Sequence, residues 1–272
     1  MPLLLVASPK GGVGKTTISA GLADALARAG RRVIALDLDP QNALRLHFGV
    51  PVQDQSGFVV ALPQGADWRA FLRQTESGVL LLPHGASDLR GALDLHAAIG
   101  RNPEMLAGPV RQMLADPGTI VVADLPPGAS PVLAALAPLA SLLLAVLLPD
   151  SASTALLPDI DQGRFLGRGT LAALGAPPLH IVLNQVDPAS ALSRRTAEAV
   201  ARHLGPRLLG AIAREDAVPE ALAWQRPLLR HAPGSAAARD LSDLAAAVLP
   251  LLSAPAAQPP AAPTAPPILG LG

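Results

Sequence analysis

Residues 9–17 read Pro-Lys-Gly-Gly-Val-Gly-Lys-Thr-Thr, and the chemistry such a stretch can do is phosphate binding. Gly11, Gly12 and Gly14 let the backbone turn so that successive N–H groups, that of Val13 among them, converge on one anion at the positive start of a helix. Lys15 adds a full charge for β and γ phosphates, the Thr16 hydroxyl is a hard oxygen donor suited to Mg2+, and Thr17 continues the first turn. The pattern means most between a strand and a helix, and both flank it. Residues 3–7 are an unbroken apolar run, as in a strand buried on both faces. Ile18, Leu22 and Leu26 then recur at helical spacing up to a stop at Gly30, with Asp24 and Arg28 one turn apart. A chance glycine turn carrying a lysine would explain the composition but not this context.

Acids follow at two more strand ends. An apolar strand at 32–36 runs into Asp37-Leu38-Asp39-Pro40-Gln41, and the carboxyl ends of strands are where open α/β sheets bind ligands. Side chains alternate along an extended chain, so Asp37 and Asp39 point the same way. One can hydrogen-bond the shell of a bound Mg2+ while the other orients a water; the plainer alternative is a pair of acids that starts a loop or caps a helix. Residues 119–124 give four apolar residues closed by Asp124, with Pro126-Pro127-Gly128 after them. Asp124 is expected to hold a magnesium-bound water, and the Gly128 amide to reach the γ phosphate. At the end of a strand over 179–183, Asn184 carries an amide that donates and accepts at once, as the edge of adenine requires. Thr16, Asp37 and Asp124 thus form the expected metal set.

Lys10 is a second cation just after the first strand, which an ordinary phosphate loop does not need. With it, Lys-Gly-Gly-Val-Gly-Lys-Thr-Thr resembles the deviant Walker A loop of the ParA/MinD family of ATPases. That resemblance implies an ATP-dependent homodimer in which Lys10 reaches the partner's phosphates, so that Lys10 and Lys15 both act in catalysis. It also implies that Asp39, in a segment similar to the family's first switch, assists hydrolysis, and that Asn184 reads the base. Ala213 stands where the family often has a proline before the arginine, here Arg214, so a base contact from that loop is not implied. A narrower resemblance, to the BcsQ family of bacterial cellulose secretion, rests on Arg45-Leu46-His47-Phe48, Asp67-Trp68-Arg69, Leu81-Leu82-Pro83-His84-Gly85, residues 124–130 (Asp-Leu-Pro-Pro-Gly-Ala-Ser), Arg214-Glu215-Asp216-Ala217 and Gln225-Arg226-Pro227. It implies a cytoplasmic ATPase that assembles or positions the cellulose synthase, recruited to the inner membrane or pole through protein partners. Competing readings are a partitioning ATPase that binds DNA, a MinD-like positioning protein, and a scaffold that uses ATP only to hold its dimer. Turnover is expected to be slow, since no His or Glu is evident as a strong general base.

The elements that position these residues fill one α/β domain over 1–250, a mostly parallel twisted sheet with helices on both faces. Aromatic residues are 2% of the chain, with no Tyr, so the core rests on Leu, Val, Ile and Ala; aromatic platforms for bases are disfavoured. Net charge is zero, with 21 basic and 21 acidic residues, so no global field attracts nucleic acid or an anionic membrane. The lack of cysteine excludes disulfides and thiolate chemistry, and no signal peptide is evident, which points to the cytoplasm. The long uncharged stretch at 125–149 is cut by prolines and divides into a loop, a short helix over 132–139 and a buried strand over 141–148 rather than a membrane span. Trp68 reads as a packing anchor and His84 as a loop histidine. Residues 251–272, uncharged and rich in Ala and Pro, are expected to form a disordered tail.

Overall fold

A computed structural model describes residues 2–116, 118–164, 171–177 and 179–253. The chain runs β1 (Leu3–Ala7), α1 (Lys15–Arg28), β2 (Arg32–Asp37), β3 (Arg73–Gln74), β4 (Leu80–Leu82), α2 (Leu89–Arg101), α3 (Glu104–Leu114), β5 (Thr119–Asp124) and α4 (Pro131–Leu136). It continues through β6 (Leu142–Leu147), α5 (Ser151–Thr154), α6 (Leu157–Asp161), β7 (Leu179–Val186), α7 (Ala191–Leu204), β8 (Leu208–Ala213), α8 (Ala217–Ala223), α9 (Leu228–His231) and α10 (Ala236–Ser253).

The strands form one sheet in the order β3-β4-β2-β5-β1-β6-β7-β8. Every neighbouring pair is parallel except β3 with β4. Alternation along β1 divides the core: Leu3, Leu5 and Ala7 join the apolar cluster under α2, α3, α4 and α7, while Leu4 and Val6 join the cluster under α1, α9 and α10. Both faces of the central strands are covered, which is why they read as continuous apolar runs. Because β2 and β5 lie on one side of β1 and β6 on the other, the chain leaves β1 in both directions, and a crevice opens at its carboxyl end. The loops after β1, β2, β5, β6 and β7 all emerge there.

The uncharged stretch behaves as its prolines require. α4 is followed by a 3-10 turn over Ala137–Leu139 and then by β6, buried along its whole length. Among the described residues no helix is long and apolar enough to cross a membrane. Two features differ from the sequence reading. The short antiparallel β3 was not foreseen, since two residues carry no periodicity. Helix α10 runs through Pro250 to Ser253, three residues beyond the boundary at 250. Its apolar stripe of Leu241, Leu244, Val248 and Leu252 stays buried past the proline, and burying a leucine returns roughly 1.5–3 kcal/mol, enough to offset one lost helical hydrogen bond near a helix end. The expected tail over 254–272 lies outside the described residues.

Residues 44–72 contain no long element, yet they are pinned to the sheet by backbone. Phe58 N–H donates to Pro83 O at 2.9 Å and Val60 N–H to His84 O at 3.1 Å. Gly57 makes that approach possible, because a Cβ on it would fall 2.0 Å from the Gly85 nitrogen and 2.3 Å from its Cα. Since backbone cannot swing aside as a side chain can, Gly57→Ala should cost at least about 1–3 kcal/mol in urea unfolding. Wild-type stability in that variant would show that the 44–72 segment is not fastened here.

Candidate nucleotide site

The loop between β1 and α1 is shaped by two left-handed glycines, Gly12 at φ +77° and Gly14 at φ +83°. A Cβ on Gly11 or Gly12 would meet nothing within 4 Å, so the inside of the turn is open. Gly14 is closed in. A Cβ there would lie 2.2 Å from Asn184 Nδ2, and that amide, 5% exposed, donates to Val13 O at 2.8 Å. Asn184 therefore clamps the loop from β7. The sequence suggested that it reads a base; in this arrangement its N–H belongs to the loop.

Lys15 opens α1 and is buried at 6% exposure. Its ammonium donates to Asp124 Oδ1 at 2.8 Å and lies 3.4 Å from Asp39 Oδ2. Thr16 Oγ1 donates to Asp124 Oδ2 at 2.7 Å, and Ser19 Oγ donates to Asp124 Oδ1 at 2.9 Å. One carboxylate at the tip of β5 thus takes three donors from the first turns of α1. Ser19 was missed in the sequence, although a serine one turn after Lys15 on the inward face of an apolar helix was a signal.

Asp37 is the register partner of Asp124 across β2 and β5. It is fully buried, and its two oxygens accept the backbone N–H groups of Asp39 at 3.1 Å and Leu44 at 3.0 Å. Here Asp37 shapes the loop that presents Asp39, whose other oxygen accepts Gln41 N–H at 3.0 Å. The loop continues onto Arg45, which is buried and donates to the carbonyls of Asn42, Pro51, Val52 and Asp54. Four carbonyls on one guanidinium fold the chain back on itself after the acids, a role with no local sequence cue. Gly128, at φ +74°, donates its N–H to Ser8 O at 2.8 Å. The amide assigned to a γ phosphate is instead spent on closing β5 to β1, and it faces phosphate only if that bond opens.

Lys10 sits on the rim. Its ammonium pairs with Asp150 Oδ2 at 2.9 Å, with the two side chains 38% and 40% exposed. Asp150, which also caps α5 by accepting Ser153 N–H, was not a candidate from the sequence. Trp68 is 7% exposed, the packing residue its neighbours suggested, and His84 is buried with Nδ1 at 2.9 Å from Gly85 O.

Two buried carboxylates, Asp39 and Asp124, contact Lys15, and a third, Asp37, lies beside Asp124 in the sheet. Burial, with the nearby Asp124 charge, raises Asp37 well above its ordinary value of 3.8. Burial also raises Asp124, against the pull of Lys15. The donor set fits a hard divalent cation: Thr16 and Asp124 offer oxygens, and Mg2+ in such sites takes one or two protein ligands with phosphates and waters supplying the rest. The open turn over Gly11 and Gly12 fits the phosphates.

A family model described as Cellulose biosynthesis protein BcsQ matches residues 1–249. The chain belongs to the BcsQ family. It is 32% identical over 254 residues to the cellulose biosynthesis protein BcsQ of Salmonella typhimurium, covering 90% of this chain and 93% of that one. It is 31% identical over 255 residues to the chromosome-partitioning ATPase Soj of Thermus thermophilus, covering 90% and 94%. The septum site-determining protein MinD of Pyrococcus horikoshii, a complex with Mg-ADP, superposes with a TM-score of 0.73 at 24% identity over 91% of this chain and 95% of that one. The likeness to Soj ties the chain to the ParA/MinD-type ATPases, and the likeness to MinD shows that it shares their fold.

The raised Asp37 makes the protein's stability depend on pH in a definite direction. Between 3.8 and its folded value, the folded state holds a proton that the unfolded chain has lost. Its contribution is therefore complete below about pH 4 and is lost as pH rises through the folded value, with a slope of at most about 1.4 kcal/mol per pH unit. His47 works in the opposite sense, since burial pushes it down to about 4. In urea unfolding from pH 4 to 8, the stability of Asp37→Asn should rise relative to wild type as pH increases, and parallel profiles would remove Asp37 as the cause.

Proposed function

We propose that the chain is an ATP- and Mg2+-dependent, dimerising ATPase that assembles or positions the cellulose synthase and its secretion partners. The observation that carries this reading is the division of labour between two lysines of one loop: Lys15 is sunk among acids, whereas Lys10 stands on the open rim.

Thr16 and Asp124 would hold Mg2+, which supplies neutralisation of phosphate charge when bound. Lys15 exchanges its carboxylate partners for β and γ phosphate oxygens, at the mouth of an amide-lined turn whose glycines admit close approach. Asp39, already tied to Lys15 and to the backbone at Gln41, holds the attacking water rather than taking its proton. Catalysis then rests on positioning, so turnover is slow. Lys10 gives up Asp150 to meet the phosphates bound by a second copy, which removes the repulsion between two facing nucleotides.

Two measurements test this. Lys15→Ala should weaken MgATP binding by about 3 kcal/mol or more, at least a hundredfold, in calorimetry on protein that remains folded by circular dichroism; wild-type affinity would sink the assignment. In light scattering, ATP should produce dimers that are lost in Lys10→Ala and persist in Asp39→Ala as turnover falls. A dimer indifferent to Lys10 would reduce that residue to a surface cation.

The 31% identity to Soj supports a second reading, a partitioning ATPase acting on DNA. Zero net charge weighs against it. In a pull-down with ATP and the Asp39→Ala protein, capture of cellulose synthase components without a DNA gel shift supports the first reading. A shift that fades steeply with salt supports the second.

A further inference from the structure

Asp124 takes three side-chain donors, and binding of a magnesium nucleotide would remove two of them. Lys15, at 2.8 Å from Oδ1, would turn to phosphate oxygens, and Thr16, at 2.7 Å from Oδ2, would turn its hydroxyl oxygen to Mg2+. What remains is Ser19, whose Oγ donates to Asp124 Oδ1 at 2.9 Å. Among the described residues no other side chain donates to this carboxylate. Its register partners across the sheet offer no replacement. Val6 on β1 is apolar, and Asp37 on β2 is an acid whose oxygens already accept the N–H groups of Asp39 and Leu44.

Ser19 does not need Asp124 in order to be buried. A serine inside a helix can satisfy itself by donating to the carbonyl one turn back, and Lys15 O lies 3.1 Å from Ser19 Oγ. A hydroxyl has a single proton, so the two acceptors compete for it, and the charged carboxylate at the shorter distance is the stronger. Ser19 is 0% exposed and stands one turn inside α1, where a short, enclosed side chain cannot follow a ligand as Lys15 and Thr16 can. A buried carboxylate stripped of its donors can turn about its last bond. Held at Oδ1, it keeps Oδ2, the oxygen that Thr16 vacates, aimed at the start of the helix. Resting on the ATPase reading above, we propose that Ser19 is a positioning residue for the metal: it holds Asp124 by Oδ1 once Lys15 has left and so sets the affinity for Mg2+ in the nucleotide complex.

Calorimetric titration of ATP, in EDTA and over a series of Mg2+ concentrations, separates this role from packing. Ser19→Ala, checked for folding by circular dichroism, should need about ten- to a hundredfold more Mg2+ than wild type to reach half of the Mg2+-dependent gain in ATP affinity. Its affinity for ATP in EDTA should match wild type. Ser19→Cys is of similar volume but a weak donor and should behave as Ser19→Ala, whereas Ser19→Thr keeps the hydroxyl and should restore the wild-type curve. An equal loss of ATP affinity with and without Mg2+ would make Ser19 a packing residue and overturn the proposal, as would a wild-type Mg2+ curve in Ser19→Ala. If wild type itself gained no ATP affinity from Mg2+, the ATPase reading would fall and this inference with it.

Discussion

The carboxylate of Asp124 is the fixed point of this molecule. Two of its donors, Lys15 and Ser19, share Oδ1 while Thr16 takes Oδ2, so a single side chain fastens the first turns of α1 to the tip of the adjacent strand. Removing one partner of a buried charged pair typically costs about 3–5 kcal/mol. The same contacts that hold the helix to the sheet therefore hold the phosphate loop in its shape. The site and the core cannot be separated here: apolar packing of β1 and β5 brings the carboxylate to the helix start, and the carboxylate then satisfies polar groups that the packing has buried.

A second constraint acts from the far side of the loop. Gly14 must be glycine twice over, once for its positive φ and once because Asn184 occupies the space of a side chain. Asn184 in turn is placed by β7, which is parallel to β6 and thus indirectly to β1. The phosphate loop is held between β5 through Asp124 and β7 through Asn184, with β1 and β6 as the frame. Such a loop loses little order when a ligand arrives, which is the condition for electrostatic preorganisation.

What was legible in the sequence follows from distance along the chain. The strand, loop and helix over 3–28 could be read because their cues are local: an apolar run, spaced glycines and helical periodicity. The acids at 37 and 124 were legible because each closes a strand, with 39 two residues past the first, and a parallel sheet gathers strand ends at one edge. The partners were not legible. Asn184 is 171 residues from Val13, and Asp150 is 140 from Lys10; no local pattern connects them. Gly128 shows a subtler limit. Its position beside the site was readable, but which acceptor takes its N–H depends on how closely β5 approaches β1, and the Ser8 carbonyl is nearer than composition could say. Arg45 was noticed only as part of a resemblance, since a buried guanidinium facing carbonyls leaves no periodic mark.

The two lysines of the loop differ in how freely each can change partners. Lys15 cannot change partners freely, because it is buried and the acids beside it would be left without a counter-charge. Lys10 is different. An exposed ion pair such as Lys10 with Asp150 is worth roughly 0–1 kcal/mol, so releasing Asp150 for another anion costs little. Asp150 meanwhile keeps its bond to Ser153 and continues to cap α5, so releasing Lys10 does not unravel the loop that held it. Burial separates the two cations: one is locked to its own sheet, and the other is cheap to release from its carboxylate.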